Sequence, residues 1–296
     1  MSRPDVTEKF KVDFWGVPET LLWNLYFRAT EARRPDAVLR DPRAVELIDS
    51  IDFPFAERFG KANALQAQAQ ALRARAFDEQ MTSLLSRSPD ATVVALGEGL
   101  ETQAWRVDNG QVRWLTVELP ETAKVRRALL SDSPRHRILA SSALDPAWMA
   151  QVDSTHAVLI TAQGLLMYFQ PEDVHHLFEQ CGERFPGATM LFDAIPRWFG
   201  RRTLAGNMTN KRGYKPPPMP WGVDASELQR LRHLAPVSSL REVLMPSGRG
   251  LLFRHLMPLM KRVPGLGQSP LTIFFPWRIF IATLAGTLRS CITAGE

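Results

Sequence analysis

Residues 93–103, VVALGEGLETQ, join a run of apolar residues to two glycines and two glutamates. The apolar residues predict a buried strand, and Gly97 and Gly99 predict a tight turn where the backbone approaches a ligand closely. Glu98 and Glu101 place negative charge on that turn. We therefore expect a ligand-binding sheet, and the charges restrict which ligand the turn can hold.

The rest of the chain alternates apolar strands with helices. A long helix is predicted at 62–87, before the first strand, and residues 17–50 are predicted to be helical with proline breaks. Strands are predicted at 91–97, 112–120, 136–144, 156–164 and 187–195, separated by helices that include 121–131 and 171–185. This order predicts the α/β class: an open, mostly parallel sheet with helices on both faces and its ligand at the carboxyl ends of the strands.

The chain is predicted to form one continuous domain in three parts. Residues 1–88 form a helical amino-terminal cap, 89–200 the α/β core, and 201–296 a variable carboxyl-terminal part with a further helix at 224–235. The proline-rich loop KRGYKPPPMPWG at 211–222 fits either a lid over a substrate pocket or a plain connection. Both interpretations stay open.

The glycine turn discriminates between two nucleotide cofactors. A dinucleotide fingerprint has a third glycine where this chain has Thr102, and it holds a pyrophosphate. Each glutamate close to that pyrophosphate would cost on the order of a few kcal/mol. S-adenosylmethionine carries a sulfonium and an ammonium but no phosphate, so the acids favour it over a nicotinamide dinucleotide.

Acidic residues also follow the next two predicted strands. Glu118 lies 21 positions after Gly97, close to the ~20-residue spacing at which an acid accepts the ribose hydroxyls. Asp145 follows the third strand, where an acid can meet the adenine amino group. Glu101 and Glu121 fall in first turns of predicted helices, where carboxylates favour the helix dipole. For Glu101, helix capping and ligand contact both stay open.

The charge distribution is uneven along the chain. The net charge is +5, yet residues 197–296 contain 15 Lys/Arg and only 4 Asp/Glu. These basic residues are scattered and accompany no nucleic-acid-binding motif, so we expect no nucleic acid and a basic surface beside a pocket for an anionic substrate. Nothing in the sequence fixes the oligomeric state, and a homodimer stays open.

Cysteine usage and hydropathy indicate a cytoplasmic protein. Cys181 and Cys291 have no metal-type spacing, so we expect no metal and two structural thiols. The amino terminus predicts no signal peptide. The apolar stretch 269–286 is interrupted by Pro276 and Arg278, and it predicts a buried strand or helix rather than a membrane span.

Several motifs resemble the leucine carboxyl methyltransferase family, and within it the bacterial branch of tetracenomycin-type polyketide O-methyltransferases. The resemblance runs from about residue 20 to residue 195, with the motifs in the family order. It rests on LLWNLYFRATEARRPDAVLRDPRAVELID, LRARAFD, LGEGLETQ, VRWLTVELPE, SALDPAW and TAQGLLMYFQPEDV.

The resemblance implies a class I, Rossmann-like methyltransferase that uses S-adenosylmethionine. Its arginine motif would bind the cofactor carboxylate, since a guanidinium group offers a bidentate fork. The glycines would form the cofactor turn, Glu118 would hold the ribose, Asp145 would lie by the adenine, and Gln163 would face the methionine moiety. The cofactor-binding residues so implied are Arg73, Arg75, Gly97, Glu98, Gly99, Glu118, Leu144, Asp145 and Gln163.

The chain departs from the family pattern at this site. The usual turn is closer to L-G-A-G-L-D-T-R, and the fourth strand more often ends in A-E-G, where this chain has Gln163. A neutral amide removes one charge partner of the cofactor's ammonium group. We hypothesise that Glu98 supplies the missing charge.

The resemblance implies an O-methyltransferase for a small, polyketide-like molecule that accepts the methyl group on a carboxylate or a phenolic hydroxyl. A carboxylate is already ionised at neutral pH, whereas a phenol with a pKa of ~10 benefits from a base. Candidate bases are Asp193, Tyr168, His175 and His176, none of them assigned. Candidate substrate contacts are Tyr26, Arg28, Tyr214 and Trp221. The alternatives are a protein carboxyl-terminal methyltransferase, a nicotinamide oxidoreductase and a cofactor-binding protein without activity.

Overall fold

The structure is a computed structural model that describes residues 9–206, 208–209, 214–256 and 277–285. The helices are α1 (Glu19–Ala32), α2 (Pro42–Ser50), α3 (Phe55–Phe59), α4 (Ala64–Leu85), α5 (Gln103–Arg106), α6 (Pro120–Leu129), α7 (Pro171–Arg184), α8 (Arg197–Leu204) and α9 (Ala225–His233). The strands are β1 (Phe10–Lys11), β2 (Ile51–Asp52), β3 (Thr92–Leu96), β4 (Arg113–Glu118), β5 (His136–Ala140), β6 (Val158–Ala162), β7 (Thr189–Ala194), β8 (Val237–Val243) and β9 (Arg278–Leu284).

Seven of these strands form one sheet in the order β5-β4-β3-β6-β7-β9-β8. The first five strands in this order are parallel to one another, whereas β9 is antiparallel to both β7 and β8. Strand order reverses at β3, which has β4 on one side and β6 on the other. Open α/β sheets bind their ligands beyond the carboxyl ends of the strands at such a point.

Helices cover both faces of the sheet, as the near-continuous apolar strands predict. Val94 and Leu96 of β3 pack in a core cluster with residues of α7. The alternate residues Val93 and Ala95 face the other side and pack against the end of α4. The predicted α/β fold with a mostly parallel sheet is confirmed.

The amino-terminal helices pack on the glycine turn. Asn63 caps α4 by accepting a hydrogen bond from the backbone N–H of Gln66 at 2.8 Å. Leu22 and Leu25 of α1 belong to the same apolar cluster as Leu100, which follows the turn. The helical cap is therefore in contact with the ligand-binding edge of the sheet, while its boundary at residue 88 stays a prediction.

Two predicted elements end where local hydrogen bonding changes. The strand predicted at 136–144 ends at Ala140, because residues 142–145 form a turn in which the Asp145 N–H donates to the Ser142 carbonyl at 3.1 Å. The short helix that follows, Pro146–Gln151, is a 3₁₀-helix. The other predicted strands and helices of the core are confirmed with small shifts at their ends.

The apolar stretch 269–286 contributes strand β9 at Arg278–Leu284, as one of its two interpretations predicted. Residues 269–276 and 286 lie outside the described residues. No helix among those the structure describes is long and apolar enough to cross a membrane. Cys181 is buried in α7, and burial raises its pKa to about 12. Cys291 lies outside the described residues.

Candidate functional site

A cavity of about 260 Å³ lies where strand order reverses. Its floor comes from the segments that follow β3, β4, β5 and β6, and its roof from α1 and α4. The lining from the sheet edge is Gly97, Glu98, Gly99, Leu100, Glu101, Val117, Glu118, Leu119, Ser141, Ser142, Ala143, Gln163, Gly164 and Leu165. We refer to it as the cofactor cavity.

The turn after β3 requires glycine at two positions. Gly97 and Gly99 both have φ of +57°, a region that L-residues rarely adopt. A Cβ on Gly99 would also lie 2.8 Å from the Cβ of Leu21 in α1, which is closer than van der Waals contact. The turn is therefore fixed both by its own conformation and by the helix that packs on it.

The Glu98 side chain connects the turn to β4 and α6 through hydrogen bonds. Its carboxylate accepts hydrogen bonds from the Trp114 indole at 3.1 Å, from the Thr116 hydroxyl and from Arg126 at 2.7 Å. Arg126 also donates to the carbonyl oxygens of Gly99 at 2.6 Å and of Glu101 at 2.9 Å. Burial raises the pKa of Glu98, and Arg126 opposes that shift. All three hydrogen bonds are accepted by Oε1, and Glu98 also belongs to the lining of the cavity, so its pairing with a cofactor ammonium group stays a prediction.

Glu101, rather than Glu98, directs its carboxylate towards Gln163. Its Oε2 accepts from Arg28 at 2.8 Å and from the Gln163 amide at 3.3 Å. Its Oε1 accepts from the Thr102 N–H at 2.9 Å, next to the start of α5, and from Arg106 at 2.8 Å. Burial opposes ionisation, but Arg28 and Arg106 outweigh it, so the pKa of Glu101 lies below its ordinary value. Glu101 precedes α5 and lies outside its first turn, so its predicted place in a first helical turn is wrong, whereas the residue does line the cavity.

Glu118 ends β4 and lies in the floor of the cavity. One carboxylate oxygen accepts a hydrogen bond from the Gly99 N–H, which connects it to the glycine turn. Burial raises the pKa of Glu118 to about 7, against the opposing effect of that hydrogen bond. A carboxyl group in this position can accept hydroxyl hydrogen bonds best when it is ionised.

Arg73 and Asp193 form a buried ion pair beside the cavity. The Arg73 Nε atom lies 2.5 Å from Asp193 Oδ2, and Asp193 Oδ1 accepts from the Gly164 N–H at 2.7 Å. Arg73 Nη2 is buried without a hydrogen-bond partner among the described residues, and so is Gln163 Oε1. Gly164 has φ of +73°, and a Cβ there would lie 2.6 Å from Arg73 Nη2. The cofactor cavity is therefore bordered by one donor, Arg73 Nη2, and one acceptor, Gln163 Oε1, that have no partner among the described residues.

A second cavity of about 210 Å³ adjoins the first. The two share Thr20, Asn24, Gln70, Arg73, Gly164 and Tyr168. The rest of the second lining is mainly apolar and aromatic: Trp23, Gln66, Ala69, Met167, Ile195, Phe199, Met208, Tyr214, Pro216, Met219 and Trp277. We refer to it as the acceptor cavity.

Residues 22–182, more than half of the chain, match the leucine carboxyl methyltransferase family. The chain belongs to this family. It is 31% identical over 184 residues to the tetracenomycin polyketide synthesis O-methyltransferase TcmP of Streptomyces glaucescens, a match that covers 62% of this chain and 67% of that protein. It is 26% identical over 192 residues to the S-adenosyl-L-methionine-dependent methyltransferase dpfgK of Gibberella zeae, covering 60% and 64%.

The matched segment thus spans about two thirds of the length of these relatives. Among solved structures, a proposed methyltransferase from Thermobifida fusca has a TM-score of 0.52 at 15% identity and covers 78% of this chain and 93% of its own. That likeness concerns the fold. The predicted membership of the leucine carboxyl methyltransferase family is confirmed, and with it S-adenosylmethionine as the cofactor of the family.

The cofactor cavity of this family member fits S-adenosylmethionine. Arg73 Nη2 is a buried donor without a partner, as a ligand carboxylate requires, and Gln163 Oε1 is a buried acceptor without a partner, as an ammonium requires. Gly97 and Gly99 line the cavity with their backbone, and a Cβ on either would lie within 3 Å of a leucine that packs on the turn. Among the residues that the structure describes, no group of three or more His, Cys, Asp or Glu is placed to hold a metal ion.

Three residues implied for the cofactor by the family resemblance do not line the cavity. Arg75 points to the other side of α4, where it pairs with Glu79 at 2.8 Å. Asp145 is exposed, and its side chain accepts from the Ala147 N–H at the start of the 3₁₀-helix. Leu144 is also absent from the lining, which at this edge is formed by the preceding residues 141–143.

The candidate bases are paired or lie elsewhere. Asp193 is occupied by Arg73 and the Gly164 N–H. Tyr168 borders both cavities, but burial raises the pKa of its phenol above the ordinary value, so it stays protonated at neutral pH. His175 pairs with the buried Glu227 at 2.7 Å, and His176 is exposed beside Glu179. Neither histidine lines either cavity.

Of the four candidate substrate contacts, the structure brings only Tyr214 to the acceptor cavity. The Tyr26 hydroxyl instead accepts from the Ala62 N–H at 3.2 Å. Trp221 is buried and donates to Glu227 at 2.9 Å. Arg28 lines the cofactor cavity, but its guanidinium is held by Glu101 and by Asp41 at 2.8 Å each. Tyr26 and Trp221 therefore line neither of the two cavities, and their contact with a substrate stays a prediction.

Sequence reasoning missed Arg126 and Gln70. Arg126 lies in the helix after β4 and gives no local signal, because its partners are 25 to 28 residues away along the chain. Gln70 lies three residues before Arg73, on the same helical face, and that spacing alone offered a way to find it.

Proposed function

We propose that the protein transfers the methyl group of S-adenosylmethionine to the carboxylate of a small aromatic, polyketide-like acid. The observation that carries this proposal is the composition of the acceptor cavity. Its described lining is mainly apolar and aromatic, and it contains no His, Asp, Glu or Lys. An acceptor there has no described side chain that can take up its proton, which favours a group that is already ionised at neutral pH.

The chain's own residues would hold the cofactor in the neighbouring cavity. When bound, S-adenosylmethionine supplies an electrophilic methyl group on a sulfonium. Arg73 would bind the cofactor carboxylate, and Gln163, backed by Glu101, would accept from the ammonium group. Glu118 would accept from the ribose hydroxyls. With the cofactor fixed, the enzyme contributes mainly proximity and alignment, which are worth ~7–11 kcal/mol in well-oriented reactions.

A phenolic hydroxyl is the second candidate acceptor. Among the described residues, Arg73 and Tyr168 are the ionisable groups that line both cavities. The raised pKa of Tyr168 makes it a hydrogen-bond donor rather than a base. A phenol would therefore react only when it enters as the phenolate. This expectation ranks carboxylic acids above phenols of the same ring system.

The similarity to TcmP supports a polyketide-like acceptor, since that relative is an O-methyltransferase of polyketide synthesis. Methylation of a protein's terminal carboxylate is the competing acceptor class. A further alternative is a cofactor-binding protein without activity, because Gln163 replaces the glutamate more usual in the family. Among these, the small apolar cavity favours a ring-containing small molecule over a peptide terminus.

Matched pairs of acids and phenols test the proposal. S-adenosylmethionine with a deuterated methyl group is incubated with the protein and either naphthoic acid or naphthol, and labelled products are measured by mass spectrometry. We expect labelled methyl ester from the acid and much less ether from the phenol below the pKa of the phenol. Ether as the main product would overturn the carboxylate assignment. Binding of S-adenosylhomocysteine without any turnover across such a panel would favour the inactive alternative.

A further inference from the structure

We infer that Gln70 binds the carboxylate of the methyl acceptor at the boundary of the two cavities. Its amide nitrogen would donate to the carboxylate oxygen that is not methylated, which leaves the other oxygen directed at the methyl group. This inference rests on the proposed function, and it adds a residue that neither the motifs nor the family resemblance singled out.

Gln70 has an unused hydrogen-bond donor at the required place. The side chain is 4% exposed, and its Nε2 has no hydrogen-bond partner among the described residues. Its Oε1 faces Arg73 Nη1 at 3.4 Å, which leaves Nε2 as the end available to a ligand. A buried donor without a partner destabilises the protein, because it has lost its hydrogen bonds to water. A ligand that accepts a hydrogen bond there would remove this cost.

The spacing along α4 places Gln70 on the acceptor side of Arg73. Gln66, Ala69, Gln70 and Arg73 line the acceptor cavity, whereas Gln70, Arg73 and Ala74 line the cofactor cavity. The helix therefore passes from one cavity to the other between Gln70 and Ala74. Gln70 is adjacent in sequence to Ala69, which lines only the acceptor cavity, and Arg73 is adjacent to Ala74, which lines only the cofactor cavity. This order assigns the cofactor carboxylate to Arg73 and the acceptor carboxylate to Gln70.

A neutral amide suits a nucleophilic carboxylate. In the reaction, a lone pair of the acceptor oxygen forms the new C–O bond, the C–S bond breaks, and its electron pair stays on sulfur. The carboxylate and the sulfonium both become neutral, and no proton is released. A hydrogen bond from an amide orients the carboxylate, whereas direct pairing with an arginine would stabilise its negative charge more strongly and oppose its loss. Asp193 already engages the Nε edge of Arg73.

Binding of acids to the protein loaded with S-adenosylhomocysteine tests this inference. Calorimetry with benzoic, naphthoic and anthracenecarboxylic acids selects the acid that binds most tightly to the wild-type protein. Gln70→Met keeps the length of the side chain but removes the donor. We expect its Kd for that acid to rise about tenfold, as for one lost hydrogen bond to a charged group. The Kd for S-adenosylhomocysteine should change less than about twofold.

Controls separate the loss of the donor from a change in folding or packing. Gln80→Met makes the same substitution on the exposed side of α4, where Gln80 accepts from Arg241, and should leave acid binding unchanged. Methylnaphthalene has a similar shape but no carboxylate, so Gln70→Met should bind it as the wild-type protein does. Gln70→Glu replaces the donor with an acceptor and should lose acid binding at least as strongly as Gln70→Met.

Two results would overturn the inference while the proposed function stands: an unchanged acid Kd in Gln70→Met, or a loss of S-adenosylhomocysteine binding as large as the loss of acid binding. The second result would assign Gln70 to the cofactor. If the wild-type protein neither binds nor methylates any acid of the panel, the proposed carboxylate acceptor fails and this inference fails with it.

Discussion

Arg126 connects the acidic turn to the helix behind it. The charge pattern of VVALGEGLETQ favoured a cationic cofactor, and both of its glutamates belong to the lining of the cavity. Their carboxylates have different partners within the protein. Glu98 is used internally by Arg126, which also holds the carbonyl groups of the turn. A sequence shows that acids are present, but the direction of each side chain depends on partners elsewhere in the chain.

Replacing Arg126 by Met should strongly destabilise the protein. The change would leave the Glu98 carboxylate buried without its cation, and breaking one side of a buried pair typically costs about 3–5 kcal/mol. Urea unfolding at neutral pH measures the free energy of unfolding. The double variant Glu98→Gln/Arg126→Met should recover part of the loss, because it removes the unpaired charge. A cost below about 1 kcal/mol for Arg126→Met would contradict the bracing role.

Burial of Glu118 disfavours its ionised form, so the folded protein is less stable when this carboxyl group is ionised. Its folded-state pKa of about 7 lies above the ordinary value of 4.5, so the folded protein binds the proton more tightly than the unfolded chain. This contribution to stability is complete below the unfolded pKa and is lost as pH rises through about 7. Glu118→Gln cannot ionise. We expect this variant to unfold at a higher temperature than the wild-type protein at about pH 8 and at a similar temperature at about pH 5.

The same variant should bind S-adenosylhomocysteine about ten- to a hundredfold more weakly, since ribose hydroxyls lose a charged acceptor. Because binding favours the ionised carboxyl, wild-type affinity should fall as pH drops below about 7. Calorimetry in two buffers with different ionisation enthalpies measures the accompanying proton release. Equal affinity at acidic and alkaline pH, with no proton release, would contradict the ribose role of Glu118.

At the level of elements, the strands and helices of the core could be predicted from hydrophobic periodicity, and the turn after β3 from its two glycines. Apolar runs such as TVVAL can only be buried in a covered sheet, and Gly97 and Gly99 mark the turn regardless of tertiary context. The end of β5 and the position of Asp145 did not follow, because a turn and a helix cap compete locally with the strand. Arg75 does not line the cavity with Arg73, because residues two positions apart on a helix point to different sides.

A comparison of two glycines tests the contact between α1 and the turn. In Gly99→Ala, the new Cβ would lie 2.8 Å from the Leu21 Cβ, at a residue with φ of +57°. In Gly110→Ala, the new Cβ would have nothing within 4 Å, at a residue with φ of +80°. Both variants should lose about 1 kcal/mol for the backbone conformation. Gly99→Ala should lose at least about 1 kcal/mol more for overpacking, and it should also weaken S-adenosylhomocysteine binding. Equal unfolding free energies for the two variants would contradict the close packing of α1.

For the whole molecule, most residues predicted for the cofactor line the cofactor cavity, whereas only one of the four predicted substrate contacts lines the acceptor cavity. Apart from Arg73 in α4, the predicted cofactor residues that line the cavity lie in short motifs at the ends of strands, where parallel topology brings them together. The acceptor cavity instead collects side chains from distant segments, such as Trp23, Phe199 and Tyr214. Trp221 looked equivalent to Tyr214 in the same loop, yet it packs inward on Glu227. No local pattern distinguishes these two aromatic residues.

The turn after β3 and its acids are suited to a cationic nucleoside cofactor rather than a dinucleotide. Calorimetric titration of the protein with S-adenosylmethionine and, in parallel, with NADH tests this preference directly. We predict saturable binding of S-adenosylmethionine at one site per chain and no heat of binding with NADH. Saturable binding of NADH by protein that gives no heat with S-adenosylmethionine would contradict the account.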